Sequence, residues 1–280
     1  MTRKRKDKNT TVLLFRDIIK ETLSPPPDLT VSEWADAYRK LSSESSAEPG
    51  QWRTDRAPYQ REIMDAVNDP EVEKIVIMSS AQVGKTELIL NTLGYHIDFD
   101  PAPIMIMQPT VALAQSFSKE RLAPAIKHKV ADAKSRDSGN TTLNKSFPGG
   151  YVALVGANAP SGLASRPIRI LLADEIDRFP VSAGTEGDPL ALAEKRTNNF
   201  YKRKKIFVST PTIKGASRIE VEYELSTKER WSLACPSCSE YQPLIWEQVV
   251  FASESVACKY CGAIHNEYEW KARGIFNENL

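Results

Sequence analysis

The stretch Ile75-Val76-Ile77-Met78-Ser79-Ser80-Ala81-Gln82-Val83-Gly84-Lys85-Thr86-Glu87-Leu88 decides the fold. Its apolar, β-branched opening predicts a buried strand, and the apolar spacing from Lys85 to Ile97 predicts a helix. Between them, Ser79 to Thr86 follows the phosphate-loop pattern G-x-x-x-x-G-K-[ST] except at its first position, where Ser79 stands for glycine. In such a loop backbone N–H groups wrap phosphates, the lysine reaches the β- and γ-phosphates and the threonine hydroxyl ligates Mg2+. Ser79, Ser80, Ala81, Gln82, Val83, Gly84, Lys85 and Thr86 are therefore candidate nucleotide contacts, with ATP and Mg2+ the expected ligands. A surface lysine at a helix start is the plain alternative, so the surrounding segments have to carry the reading.

Two of them do. Arg169-Ile170-Leu171-Leu172-Ala173-Asp174-Glu175 reads as a buried strand ending in two carboxylates, where Asp174 would hold the Mg2+ shell and Glu175 would polarise the attacking water. An acidic pair that merely opens a helix is the alternative. Ile206-Phe207-Val208 ends in Ser209-Thr210-Pro211, whose hydroxyls would lie beside the γ-phosphate and report its presence. In an open parallel sheet, ligands bind at the carboxyl ends of the strands, so Lys85, Thr86, Asp174 and Glu175 are expected to converge. Upstream, Pro58-Tyr59-Gln60 offers a ring to pack on a base and an amide matching the adenine edge. An arginine that neutralises transition-state charge is expected among Arg166, Arg169 and Arg178. Arg166 is favoured because Ser161-Gly162-Leu163-Ala164-Ser165 makes it a loop residue.

Further strands are expected at Ile104–Met107 and Tyr151–Val155, and helices at Val12–Leu23, Ser32–Leu41, Tyr59–Val67, Val111–Leu122, Pro124–Ala133 and Leu190–Phe200. Strands apolar at nearly every position, alternating with amphipathic helices, predict an α/β fold with a mainly parallel sheet flanked by helices. Ser42 to Gly50 reads as a linker, so residues 1–50 are expected to form a basic tail and N-terminal helical segment. The globular ATPase part is placed at 51–228 and a cysteine module at 229–280.

The 280 residues, 41% hydrophobic and 26% charged, fit a globular chain. No apolar run approaches the roughly 20 residues of a membrane span, and the basic start lacks the features of a secretory signal. An intracellular protein without membrane contact is expected. A balance of 37 basic and 36 acidic residues leaves a nucleic-acid partner open. Basic clusters in the first eight positions, at Lys195-Arg196 and at Lys202-Arg203-Lys204-Lys205 could meet phosphates or simply face solvent.

Cys235-Pro236-Ser237-Cys238 and Cys258-Lys259-Tyr260-Cys261 lie 19 residues apart and hold all four cysteines. That spacing predicts a closed, structural Zn2+ site in a zinc-ribbon-like module, with Gly262 suited to a tight knuckle and His265 a spare ligand. A redox dithiol is the alternative.

Taken together, these segments resemble the large terminase subunit of lambda-type tailed phages, an ATP-driven motor that packages double-stranded DNA into preformed heads. The resemblance runs from Leu29 to about Phe276. It includes Trp34-Ala35, Tyr38-Arg39, Pro49-Gly50-Gln51-Trp52, Ala57 to Asp65, Ser80 to Glu87, Asn91 to Ile97 and Gln108-Pro109-Thr110. It continues through Ser165 to Arg169, Asp174-Glu175-Ile176-Asp177, Ser209-Thr210-Pro211 and both cysteine pairs around Trp246.

The resemblance implies Lys85 and Thr86 as phosphate and Mg2+ contacts, Asp174 as metal-shell acid, Glu175 as catalytic carboxylate and Ser209-Thr210 as coupling motif. It further implies a homo-oligomeric ring docked on a portal protein, a small terminase subunit as partner, and action in the host cell cytoplasm. Family members carry an endonuclease domain after the ATPase part, for which the residues up to Leu280 are too few. A helicase-like or remodelling ATPase with a zinc ribbon, and a catalytically inactive prophage remnant, are the other readings. The first would need a second motor lobe; the second is opposed by intact Lys85, Thr86, Asp174 and Glu175.

Overall fold

In the computed structural model of the chain, the described residues are 28–43, 48–126, 140–163, 166–270 and 274–277. The helix expected over Val12–Leu23, most of that expected over Pro124–Ala133, and Ala164-Ser165 lie outside them.

Among the described residues the first helix, α1 (Val31–Tyr38), opens with a capping box in which the Thr30 side chain accepts from the Glu33 amide and Glu33 answers the Thr30 amide. It is followed by α2 (Tyr59–Asp65), β1 (Lys74–Met78), α3 (Lys85–Asp98), β2 (Pro103–Gln108) and α4 (Val111–Phe117). The helix expected over Val111–Leu122 changes after Phe117 into a π-turn over Ser118–Leu122. Next come β3 (Asn144–Phe147), β4 (Gly150–Gly156), β5 (Ile170–Asp174), α5 (Pro189–Glu194), β6 (Lys204–Ser209) and α6 (Arg218–Glu224).

These strands form one six-stranded sheet in the order β1-β6-β5-β2-β4-β3, parallel throughout except for the antiparallel β3–β4 pair. Successive residues of the apolar strands face opposite sides and both sides are covered. Ile104, Ile106, Ile170, Leu172, Ile206 and Val208 enter one core with Trp34, Ile89 and Leu93. Met105, Met107, Leu171, Ala173 and Phe207 enter a second with Leu163, Leu190 and Ile219. That two-sided burial is why the strands read as continuous apolar runs. The register sets Ile77 and Asp174 on either side of Val208, which brings the carboxyl ends of β1, β6 and β5 level with one another.

The described residues before residue 50 pack against the globular part: Val31, Trp34 and Ala35 are core residues, and the Trp34 indole donates to Asp98 across 2.9 Å. The indole lies so close to α3 that a Cβ on Gly94 would come within 2.2 Å of it. Three residues of the basic run entering β6 are engaged within the fold and not free for phosphates. Lys204 is buried and donates to the Asp69 and Val72 carbonyls, Lys205 pairs with Glu194 and Arg203 with Glu73.

Beyond α6 the chain forms two small antiparallel sheets. One has the order β8-β7-β12, from β7 (Arg230–Ala234), β8 (Tyr241–Gln242) and β12 (Gly274–Asn277). The other runs β9-β10-β11, from β9 (Val249–Val250), β10 (Ser255–Ala257) and β11 (Ile264–Asn266). Among the described residues no helix is long and apolar enough to cross a membrane.

Candidate nucleotide and metal sites

The loop from Ser79 to Gly84 leaves β1 and enters α3. Gln82 (φ 62°) and Gly84 (φ 81°) are its left-handed residues. Ser79 is not among them, so the position where the loop pattern has its first glycine needs none here, and its amide donates to the Ser209 carbonyl at 3.3 Å. Alternating backbone handedness of this kind turns successive N–H groups toward a common centre, the geometry of an anion nest. Gly84 is fixed twice over: by its left-handed φ, and because a Cβ there would lie 2.3 Å from Gln60 Nε2.

Lys85 is only 7% exposed. Its ammonium curls back over the loop and donates to the Ser80 carbonyl (2.6 Å) and to Thr210 Oγ1 (2.7 Å), with the Ser79 carbonyl at 3.4 Å. A buried ammonium held by neutral oxygens alone is poised to accept a phosphate. Buried Ser79 Oγ beside it has no hydrogen-bond partner, so the loop also carries an unmet polar group that a bound ligand could satisfy.

Asp174 ends β5, buried, and accepts from Gln108 Nε2 at 3.2 Å. Burial pushes its carboxyl pKa up; the Gln108 bond opposes that, the Glu175 charge adds to it and the Lys85 charge opposes it. Glu175 follows at φ 55°, a left-handed conformation costing a non-glycine residue roughly 1–2 kcal/mol. Glu175 Oε2 lies 3.6 Å from Arg178 Nε.

The carboxyl ends of β5 and β6 are tied together by Asp177, which sequence reading left without a role. Its carboxylate accepts from the Thr212 amide and hydroxyl (both 2.9 Å) and from the Ile219 amide (2.8 Å). Its own amide donates to Ser209 Oγ at 3.2 Å. Burial works against its ionisation, but the donors from Ile219, Ser217 and Thr212 prevail and hold its pKa below the usual carboxylate range. The signal in the sequence was a third acid two residues after an acidic pair, opposite a hydroxyl-rich strand end.

Tyr59 and Gln60 both press on the loop from behind. Tyr59 Oη donates to the Val83 carbonyl at 3.0 Å and Gln60 Nε2 to the same oxygen at 3.2 Å. Gln60 is buried beneath Gly84 with its Oε1 unpartnered; it braces the turn.

Arg166 is the candidate the fold takes elsewhere. It donates to Asn144 Oδ1 (3.1 Å) and lies over the Tyr151 ring (5.4 Å). Tyr151 pairs with Pro103 at the amino ends of the parallel strands, the opposite end of the sheet from Lys85. Arg169 is also at that end, bonded to Asp100. Of the three arginines only Arg178 sits beside Glu175.

In the second site, Cys235, Cys238, Cys258 and Cys261 bring their sulfurs within 4.8 Å of one another, a cluster that could hold a metal ion. Cys235 and Cys261 are 3.8 Å apart, Cys238 and Cys258 3.7 Å. Each pair is followed by a left-handed residue, Ser239 (φ 64°) and Gly262 (φ 72°). Their amides close onto the Cys235 and Cys258 carbonyls at 2.8 and 3.0 Å. Gln242 Nε2 donates to Cys258 Sγ at 3.0 Å. His265 is not part of the cluster; its Nε2 meets Ser237 Oγ at 2.9 Å.

Residues 46–277 match the family described as phage terminase large subunit gpA, ATPase domain. The chain is 29% identical over 264 residues to the terminase large subunit of Enterobacteria phage P21, an alignment covering 87% of this chain and 41% of that protein. To the terminase large subunit of Escherichia phage lambda it is 30% identical over 233 residues, covering 80% of this chain and 36% of that protein. It thus spans about two fifths of the length of these relatives. Among solved structures, the large terminase ATPase domain of Thermus phage P74-26 aligns with a TM-score of 0.42 at 15% identity, over 56% of this chain and 66% of that one. The chain belongs to the ATPase-domain family of gpA-type phage terminase large subunits.

Proposed function

We propose that this chain hydrolyses ATP with Mg2+ and so drives translocation of double-stranded viral DNA into a procapsid. The observation that carries the reading is the position of Lys85: a buried ammonium with only neutral acceptors, in a nest of loop amides, level with Asp174, Glu175 and Thr210. The loop amides and Lys85 would hold the β- and γ-phosphates. Thr86 and Asp174 are the residues that would hold Mg2+, which when bound neutralises charge on the phosphate oxygens. Burial leaves Asp174 unfavourably ionised without a nearby cation, which suits that role. Glu175, next along the kinked backbone, would orient the water and take its proton. Arg178 pairs with that carboxylate.

Loss of the γ-phosphate would return Lys85 to Thr210. Through Ser209, Thr212 and Asp177 the change reaches the start of α6, which is how hydrolysis becomes movement. The four cysteines fit Zn2+: a tetrahedron with Zn–S bonds of about 2.3 Å has edges of about 3.8 Å, and two of the S–S distances are 3.7 and 3.8 Å. The site is closed, so the ion would stabilise a ribbon-like module. Double-stranded DNA, a portal protein, a small terminase subunit and further copies of the chain in a ring are the expected partners, in the host cell cytoplasm.

The test is steady-state Mg-ATP hydrolysis by the purified chain with and without linear duplex DNA, beside Lys85→Ala and Glu175→Ala. DNA-stimulated turnover lost in both variants is expected. Turnover that survives Glu175→Ala would overturn the assignment of the carboxylate.

A further inference from the structure

β1 is one edge strand of the sheet and, among the described residues, pairs only with β6. Along its free side runs a cleft of about 890 Å³, within the 300–1,000 Å³ usual for small-molecule sites. The phosphate loop lines it through Ser79, Val83 and Lys85, and the small β8-β7-β12 sheet through Trp231 and Phe276. Tyr59 stands between, its hydroxyl on Val83 and its ring edge-on to Trp231 with centroids 6.2 Å apart. Trp231 in turn meets Phe276 at 5.3 Å. All three rings are half-buried, and all three line the cleft. Trp231 is held close to β12 because residue 274 is glycine: a Cβ there would lie 2.1 Å from the indole.

We propose that this cleft takes the base and ribose of the nucleotide, and that Trp231 and Phe276, from the sheet leading into the cysteine module, form its far aromatic wall. The proposal rests on the nucleotide reading of the loop and adds to it a base site outside the six-stranded sheet. Charge gives the ligand its direction. Away from Lys85 the lining carries Glu62, Glu71 and Glu229, and Glu73 paired with Arg203, against Lys74 and Arg230, and Lys74 is paired with Glu194 and Glu222. That end repels phosphates and offers carboxylates to ribose hydroxyls, while the apolar flank of β1 and the three rings offer stacking surface. Gln60 is not part of the lining, so recognition of the base falls to the rings. Because β7 runs directly into Cys235, a base on Trp231 joins the ATPase sheet and the cysteine module through the ligand.

The experiment compares two probes, ADP and inorganic tripolyphosphate, by equilibrium binding to the purified chain and its Trp231→Ala, Trp231→Phe and Phe276→Leu variants. Trp231→Ala should weaken ADP by about tenfold or more, since base–aromatic stacking is worth that much, and leave tripolyphosphate unchanged. Trp231→Phe should bind ADP within about threefold of the parent, and ADP should quench parent tryptophan fluorescence more than that of Trp231→Phe. Phe276→Leu should fall between. Unchanged ADP affinity in Trp231→Ala and Phe276→Leu overturns the proposal, as does equal loss of both probes. A parent chain that binds neither probe overturns instead the nucleotide reading beneath it.

Discussion

Lys85 Nζ and Thr210 Oγ1 hydrogen-bond across 2.7 Å, joining the loop after β1 to the loop after β6. The bond uses the same ammonium that a nucleotide phosphate requires, so the two compete. Removing the Thr210 hydroxyl should therefore favour the ligand: Thr210→Val is expected to bind ADP about tenfold tighter, the scale of one hydrogen bond to a charged group. ADP is the right probe because it has no γ-phosphate that the hydroxyl could contact. Calorimetric titration checks it, and weaker binding by Thr210→Val would show that the hydroxyl positions Lys85 for phosphate and does not compete with it.

Arg166 and Arg178 lie at opposite ends of the sheet, one on Tyr151 and the other 3.6 Å from Glu175. In the chain acting alone, Arg166→Ala should leave ATP turnover within about twofold, whereas Arg178→Ala should lower kcat by tenfold or more, on the scale of losing a charged contact to a developing anion. Turnover assays at dilute protein, where assembly is suppressed, separate the two. A large loss in Arg166→Ala under those conditions would contradict the placement of the residue.

The sheet was legible in the sequence because β2, β4, β5 and β6 bury most of their residues on both faces, and β1 is apolar from Ile75 to Met78. β3, Asn144-Lys145-Ser146-Phe147, escaped because it is an edge strand with one buried residue and no alternation to notice. α6 escaped because Arg218-Ile219-Glu220-Val221-Glu222-Tyr223-Glu224 buries only Ile219; it is set by Ser217 capping Glu220 and by Asp177 meeting the Ile219 amide. Spacing alone set Ser79–Thr86 between a strand and a helix and Asp174 at a strand's end. Loop membership says nothing about which end of a sheet a loop occupies, so the position of Arg166 was not legible. Nor was the burial of Gln60 under Gly84, which depends on packing between α2 and the loop.

Asp100 accepts from Arg169 at the amino end of the sheet and faces His96 Nδ1 at 3.4 Å. The His96 hydrogen bond, against burial and with help from Arg169, lowers its carboxyl pKa to about 2. A carboxylate whose folded pKa lies below its unfolded value stabilises the fold above the unfolded value and loses that contribution as pH falls through the folded one. The stabilisation from Asp100 should thus be present above pH 4 and lost between pH 4 and about 2. Asp100→Asn should lower Tm at pH 7 and flatten its decline across that acid window. Thermal melts from pH 7 to 2 measure it; parallel declines in parent and variant would refute the assignment.

Trp270 is 1% exposed and packs against Cys235 and Cys258, so the four-cysteine cluster and the burial of this indole are expected to stand or fall together. Its Nε1 donates to the Val256 carbonyl at 3.2 Å, on the strand that leads into the second cysteine pair. Without an ion, four sulfurs held a few ångströms apart have nothing to oppose their crowding, and this core of so few residues has little apolar area to replace the metal. Chelation, or Cys258→Ser, should release about one zinc per chain, red-shift the tryptophan emission and free residues 229–280 for proteolysis. The six-stranded sheet has its own two cores and should keep its far-UV dichroism. Emission that does not move when the metal is removed would show that the module folds on packing alone.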